Sequence, residues 1–263
     1  MEAKEILVNS TFLQAQSIGL EDSSDCELHG PKKETEGFLG KRWFTCVECE
    51  AIRMSEATQE TLDREDRDKQ AKVDMLFREC QIGKRFQRIR FDSYEPPTEN
   101  AKKAKKLCQE YALSFADKLD SGAGLIMVGR PGTGKNHLAA AICTEVMYKG
   151  HATIHTTVMK MIRRIKATWS RDSDMTEQRA IKSFCEPDLL IIDEVGVQFG
   201  SETEKLLLTE IINERYENIR PTIMLSNLPA KQLEDVLGER VVDRFRHGGE
   251  VLVFDWDSYR KSR

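Results

Sequence analysis

The chain has 263 residues, enough for one large domain with a smaller one beside it. Charged residues make up 32% and aromatics 7%, the balance of a soluble globular chain. A net charge of -4 neither demands nor excludes nucleic acid, so only local patches bear on that question. No apolar run approaches the ~20 residues of a membrane span. MEAKEILVNS has no basic segment leading into an apolar one, so no secretory signal is expected. Seven cysteines, unevenly spread, fit reduced thiols and a cytoplasmic setting better than a disulfide framework.

Residues 1–25 carry little signal. Cys26-Glu-Leu-His29 and Cys46-Val-Glu-Cys49 then supply two close ligand pairs, the C-x2-H…C-x2-C arrangement that tetrahedral zinc takes. The polar, glycine-bearing stretch between them has too little apolar content to fold alone. Cys26, His29, Cys46 and Cys49 are therefore expected to hold a structural Zn²⁺ around a small hairpin; two unrelated thiol pairs are the alternative. Four protein ligands would leave no open coordination position for catalysis. Cys80, Cys108, Cys143 and Cys185 stand apart and are expected to be buried thiols.

Glu50 to Glu79 lacks Pro and Gly and is dense in charge, which predicts one long helix. Val73, Leu76, Phe77 and Cys80 give its end an apolar face. The rest is either a solvated surface or an arm that grips a partner. Lys84, Arg85, Arg88 and Arg90 make a basic run, and Pro96-Pro97 then forbids helix. The boundary is placed there: residues 1–90 form an N-terminal zinc-knuckle and helical partner-binding region, and 91–263 form the main domain.

A helix is expected over 100–119, and then strand and helix signals alternate. Strands are expected at 125–128, 152–157, 188–192, 222–226 and 250–254. Helices are expected at 135–148, 158–170, 174–185, 202–218 and 230–246, the last with a break near Gly238. Apolar strand runs alternating with helices make an α/β fold with a parallel sheet covered on both faces.

The chemistry begins at Leu125–Asn136, LIMVGRPGTGKN. An apolar strand runs into G-x4-G-K and then into an alanine-rich helix, the order that a P-loop needs. Glycines let the backbone turn its N–H groups inward around an anion, and the helix N-terminus adds its positive dipole end. Lys135 is placed to reach the outer phosphates of a nucleotide. The next residue ordinarily brings a hydroxyl to Mg²⁺; here it is Asn136. Downstream, LLIIDE delivers Asp193 to hold Mg²⁺ and Glu194 to polarise the attacking water. TIMLSN ends a strand at Asn227, whose amide is suited to orienting water near a γ-phosphate. Arg240 and Arg244 share a helix face, as surface arginines or as a finger offered to a neighbour's nucleotide. Lys160, Arg163, Arg164, Lys166 and Arg171 concentrate positive charge where no acidic residue interrupts from Val158 to Arg171. This is either a solvated face or a stripe for a phosphate backbone.

GRPGTGKNHLAAAI, LLIIDEVGVQ, LGERVVDRFR and FDWDSYR resemble the bacterial replicative helicase loaders of the DnaC type, which are AAA+ ATPases; FDSYE at 91–95 fits their inter-domain segment. The likeness covers roughly residues 85–263 and includes the unusual Asn136 and His137. It implies an AAA+ P-loop sheet in which Gly129, Arg130, Pro131, Gly132, Thr133, Gly134, Lys135, Asn136, His137 and Asp193 bind ATP and Mg²⁺. It implies catalytic roles for Glu194, Asn227 and the finger arginines Arg244 and Arg240, with Arg260 in a second-sensor role. It also implies single-stranded DNA on the basic helix, self-association through the nucleotide sites, and a hexameric replicative helicase as partner. The run after Arg246 is too short for a full helical lid, so hydrolysis is expected to be weak and assembly-dependent. The C-x2-H…C-x2-C region departs from the DnaC pattern and is closer to zinc-bearing phage and prophage versions. A transposition helper ATPase that delivers a transposase is the alternative reading.

Overall fold

A computed structural model describes residues 25–26, 28–31, 33–36, 42–87, 89–196, 201–246 and 248–259. The chain divides into two compact units, Met1–Asp68 and Lys69–Arg263. In the first, β1 (Asp25–Cys26) pairs antiparallel with β2 (Gly30–Pro31), and β3 (Lys33–Glu36) with β4 (Arg42–Thr45). The hairpin expected between the ligand pairs is therefore present. The helix that follows, α1 (Val47–Glu79), is unbroken and starts three residues earlier than its charge pattern suggested. The two units divide within α1 because its buried residues, Val73 and Leu76, come only in its last turns.

In the second unit Leu76 and Cys80 join a core with Ile82, Phe91 and Tyr94. A short 3-10 turn (Phe91–Ser93) leads to α2 (Glu99–Leu113), whose first turn is capped where the Thr98 hydroxyl accepts from Ala101 N–H at 3.1 Å. One helix was expected over 100–119. Instead the chain restarts as α3 (Phe115–Ser121), because the Ser114 hydroxyl donates to the Glu110 carbonyl at 2.8 Å and leaves helical geometry. The re-aimed Phe115 is fully buried.

The remaining elements are β5 (Leu125–Gly129), α4 (Lys135–Tyr148), β6 (Thr153–Thr157), α5 (Val158–Ala167), α6 (Glu177–Cys185), β7 (Leu189–Asp193), α7 (Glu202–Glu217), β8 (Thr222–Ser226), α8 (Ala230–Leu237), α9 (Glu239–Arg246) and β9 (Glu250–Phe254). All five expected strands of this unit are present, in a wholly parallel sheet of order β6-β7-β8-β5-β9. Successive strand residues point to opposite faces. Leu125 and Met127 pack with α2 and α4, while Ile126 and Val128 pack with α5 to α9. β5, β7 and β8 are covered on both faces and read as near-continuous apolar runs. β6 (TIHTT) is buried but largely polar, and β9, at the sheet edge, alternates, burying Leu252 and Phe254 and exposing Val251 and Val253. β8, late in sequence, lies between β5 and β7, so the ends of those three strands form one edge.

Arg215 on α7 is fully buried among backbone oxygens. Its Nη1 donates to the carbonyls of Phe184 (3.0 Å), Cys185 (2.9 Å) and Pro187 (2.8 Å), Nη2 to Pro221 (2.6 Å), and Nε to the Thr222 hydroxyl (2.9 Å). It ties the end of α6 and the entries to β7 and β8 to one point. Burial pushes its pKa down to about 9. Nothing in the sequence separates this arginine from surface ones. Arg215→Met should strand several buried carbonyls and lower unfolding free energy by at least about 3 kcal/mol. Urea titration checks this; a loss under about 1 kcal/mol contradicts the role.

Candidate nucleotide site and metal knuckle

The phosphate loop runs from the end of β5 into α4. Gly129 has φ +130°, and a Cβ on it would lie 2.2 Å from the Phe254 carbonyl, so only glycine lets the loop leave β5 beside β9. Lys135 is 7% exposed, and its Nζ donates to the carbonyls of Gly129 (2.7 Å) and Arg130 (2.8 Å). Burial lowers its pKa to about 8, against the opposing charge of Asp193. Arg130 is exposed and 3.8 Å from Asp257, and Pro131 is exposed.

Asn136 donates from Nδ2 to Asp193 Oδ2, joining the start of α4 to the end of β7. Asp193 Oδ1 accepts from Glu194 N–H at 2.8 Å. Burial raises the Asp193 pKa, opposed by that N–H, by Asn136 and by Lys135. Asn136 Oδ1 is buried without a hydrogen-bond partner. An orphaned carbonyl oxygen beside a carboxylate is a donor set that suits a hard divalent cation, so these residues fit Mg²⁺.

Glu194 is exposed, at φ +60°, a left-handed conformation that a glutamate holds only when its surroundings impose it. The imposing contacts are visible. Val195 N–H donates to the Leu225 carbonyl at 2.9 Å. The buried Ser226 donates to the Val195 carbonyl at 2.6 Å and accepts from Leu228 N–H at 3.1 Å. Ser226 thus locks the turn bearing Glu194 to the turn bearing Asn227, which is exposed just past β8. In the sequence Ser226 is only the first of the polar pair that ends the strand, and nothing local reports its buried contacts.

His137 is held by the segment before α2: its Nε2 lies 2.9 Å from Ser93 Oγ, and its ring centroid 5.5 Å from that of Tyr94. Arg240 is exposed on α9, but Arg244 bonds to Asn213 and stacks 5.0 Å over the Tyr216 ring. Arg260 lies outside the described residues.

The basic stripe is smaller than the sequence suggested. α5 ends at Ala167, where the Thr168 hydroxyl donates to the Ile165 carbonyl at 2.7 Å, so Arg171 is exposed but off the helix. Arg164 stacks 5.5 Å from the Phe184 ring, and Lys166 pairs with Glu204 at 2.8 Å. Lys160 and Arg163 remain exposed on α5.

In the first unit, one ligand atom from each of Cys26, His29, Cys46 and Cys49 lies within 4.8 Å of the others. Cys26 Sγ is 3.6 Å from Cys49 Sγ, and His29 Nδ1 is 3.3 Å from Cys49 Sγ and 3.6 Å from Cys46 Sγ. These are edge lengths of a tetrahedron about a zinc-sized ion. The far His29 nitrogen, Nε2, is 3.6 Å from Glu48, a carboxylate that would orient the ring. The backbone N–H groups of Leu28 and His29 lower the Cys26 pKa to about 6, toward the thiolate that binds metal. Hydrogen bonding with Cys26 and Cys46 raises Cys49 to about 11.

A model of the family described as IstB-like ATP binding protein matches residues 50–263. The protein named replicative helicase loader DnaC of Escherichia coli (strain K12) is 37% identical over 76% of this chain and 79% of its own. Its namesake from Buchnera aphidicola subsp. Baizongia pistaciae (strain Bp) is 37% identical over 74% and 78%. A solved structure titled as the DnaC helicase loader superposes with TM-score 0.57 at 26% identity, covering 65% of this chain and 99% of that one. A DnaI structure, TM-score 0.55 at 19% identity and covering 68% and 94%, shares the fold. The parallel five-stranded sheet flanked by helices matches these neighbours, and the chain belongs to the IstB/DnaC-type family of ATP-binding AAA+ proteins.

Proposed function

We propose that this protein is an ATP-dependent loader that binds a hexameric replicative helicase and delivers it onto single-stranded DNA in the cytoplasm. The observation that carries the reading is 37% identity over most of both chains to a protein named for that role. In this reading residues 91–263 form the ATPase module, and residues 1–90, with the exposed length of α1, grip the helicase. A structural Zn²⁺ on Cys26, His29, Cys46 and Cys49 replaces the core that this small region lacks. Co-purification with a hexameric helicase tests the role, and metal analysis should find about one Zn²⁺ per chain. Capture of a transposase instead would establish the alternative, a transposition helper sharing the same nucleotide site.

At that site the loop N–H groups and Lys135 would hold the phosphates, and Asn136 and Asp193 would hold Mg²⁺, which would neutralise phosphate charge. Glu194 takes the proton of the attacking water and Asn227 orients that water. Arg240, exposed, or Arg244, once released from Asn213, reaches a neighbouring protomer's nucleotide. Turnover is slow outside that assembly, so nucleotide binding acts chiefly as a switch between states of different affinity.

Lys135 gives this reading a proton signature. With its pKa near 8 in the free protein, it is increasingly neutral above that pH, and bound phosphate restores the charge. ATP binding at pH 8.5 should therefore take up a proton, and affinity should fall by up to about tenfold per pH unit above pH 8. Calorimetry in buffers of different ionisation enthalpy measures the uptake, which Lys135→Arg should abolish. Binding without uptake would contradict the assignment.

For DNA, the exposed pair on α5 is the part to remove. Lys160→Ala with Arg163→Ala should weaken single-strand binding and reduce the slope of log K against log salt by about 1.4, or about 0.7 per lost phosphate contact. Fluorescence anisotropy across a salt series reads this, and an unaltered slope would mean that the strand runs elsewhere.

A further inference from the structure

The carbonyls on the outer side of the phosphate loop are held by two segments, one near the start and one near the end of residues 91–263. The Thr133 carbonyl accepts from Trp256 Nε1 at 2.9 Å and from the Tyr94 hydroxyl at 3.2 Å. The Gly132 carbonyl accepts from Tyr259 N–H at 3.0 Å. Each peptide here is trans, so a carbonyl oxygen and the N–H of the next residue point in opposite directions. Fixing the oxygens of Gly132 and Thr133 on the outside therefore fixes the N–H groups of Thr133 and Gly134 on the opposite side. Those N–H groups are the ones that a phosphate needs.

The fit is close. A Cβ on Gly134 would lie 2.4 Å from the Tyr94 ring, and one on Gly132 would lie 2.0 Å from Ser258 Oγ. Both glycines have positive φ, so the contacts and the turn demand the same residue type. Tyr94 and Trp256 are themselves immobilised. They are 3% and 5% exposed. Lys105 Nζ donates to the Tyr94 carbonyl at 2.9 Å, and the Trp256 ring packs 4.8 Å from Phe254. Burial raises the Tyr94 phenol pKa, so its hydroxyl stays a donor.

We propose that Tyr94 and Trp256 are positioning residues for ATP, which bracket Thr133 and hold the phosphate loop open before ligand arrives. This rests on the nucleotide reading above and adds to it two residues that never touch the phosphates. Pre-orientation matters because a loop ordered only on binding spends part of the interaction free energy on its own ordering.

The test uses the full chain and a fluorescent ATP analogue, with Tyr94→Phe, Trp256→Phe and the double variant. Tyr94→Phe keeps the ring on Gly134 and removes only the hydroxyl; Trp256→Phe removes the Nε1 donor. Each should weaken binding about fivefold, the value of one ordinary hydrogen bond, and the double variant at least about tenfold. A second readout excludes a purely structural role. With Trp43→Phe and Trp169→Phe, Trp256 is the only indole left of the chain's three, and its emission should shift on adding ATP but not adenosine. Folded variants that bind within twofold of the unaltered protein would overturn the proposal, with Tyr94→Phe deciding alone if Trp256→Phe does not fold. If Lys135→Met abolishes binding while the bracket variants retain it, only this proposal falls. If the unaltered protein binds no ATP, the nucleotide reading falls with it.

Discussion

The hydrogen bond from Asn136 to Asp193 closes the nucleotide site across the end of a strand that belongs to neither residue. β5 and β7 are not neighbours in the sheet; β8 lies between them. A side chain at the start of α4 therefore has to span the strand end that carries Ser226 and Asn227. A hydroxyl in place of Asn136 would offer one oxygen for both the carboxylate and a cation. The amide divides those tasks, with Nδ2 engaged by Asp193 and Oδ1 left for a hard ligand. It is neutral and reaches further than a hydroxyl, so it joins the two anchors even when no cation does.

Around that bond the site is built from groups that never meet a substrate. Ser226 sets the Glu194 turn against the Asn227 turn, and the strained φ of Glu194 persists because Val195 is fixed on both its N–H and its carbonyl. Arg215 does similar work at the opposite ends of the strands, where one guanidinium satisfies carbonyls from α6, β7 and β8 approaches. A buried cation without a carboxylate against it is costly unless its donors are saturated. Here they are, so the sheet is pinned at one edge and the chemistry is arranged at the other.

The first unit solves a different problem. Two short hairpins and a charged helix start cannot bury enough apolar surface to balance chain entropy. In the proposed reading a four-ligand metal would join Cys26 and His29 to Cys46 and Cys49 across the β3–β4 hairpin, supplying the cross-link that so polar a region needs. Glu48, a residue of the α1 first turn, meets the far nitrogen of His29 because Cys46 and Cys49 bracket it at the helix start.

Much of this was written locally. Apolar runs specified β5, β7 and β8 because a doubly covered parallel strand has to be apolar throughout; the edge strands β6 and β9 carry a weaker signal. The G-x4-G-K loop, Asp193-Glu194 and the C-x2-H…C-x2-C spacing were legible because their chemistry is set by residues a few positions apart. Gly238 ended α8 where its conformational freedom suggested. Other features depend on neighbours that only folding supplies. Ser114 ends α2 through a local bond that a pattern of apolar residues does not report, and Thr168 shortens α5 in the same way. Arg164 and Lys166 looked equivalent to Lys160 and Arg163 until Phe184 and Glu204 took them out of the basic stripe. Arg215 looked like any surface arginine, Ser226 like any strand-end serine, and Tyr94 and Trp256 like ordinary core aromatics. Their roles arise from carbonyl groups brought to them from distant sequence, and a carbonyl has no letter of its own. Residue types at short spacing determined which chemistry the chain carries, and the tertiary structure decided which backbone groups hold that chemistry in place.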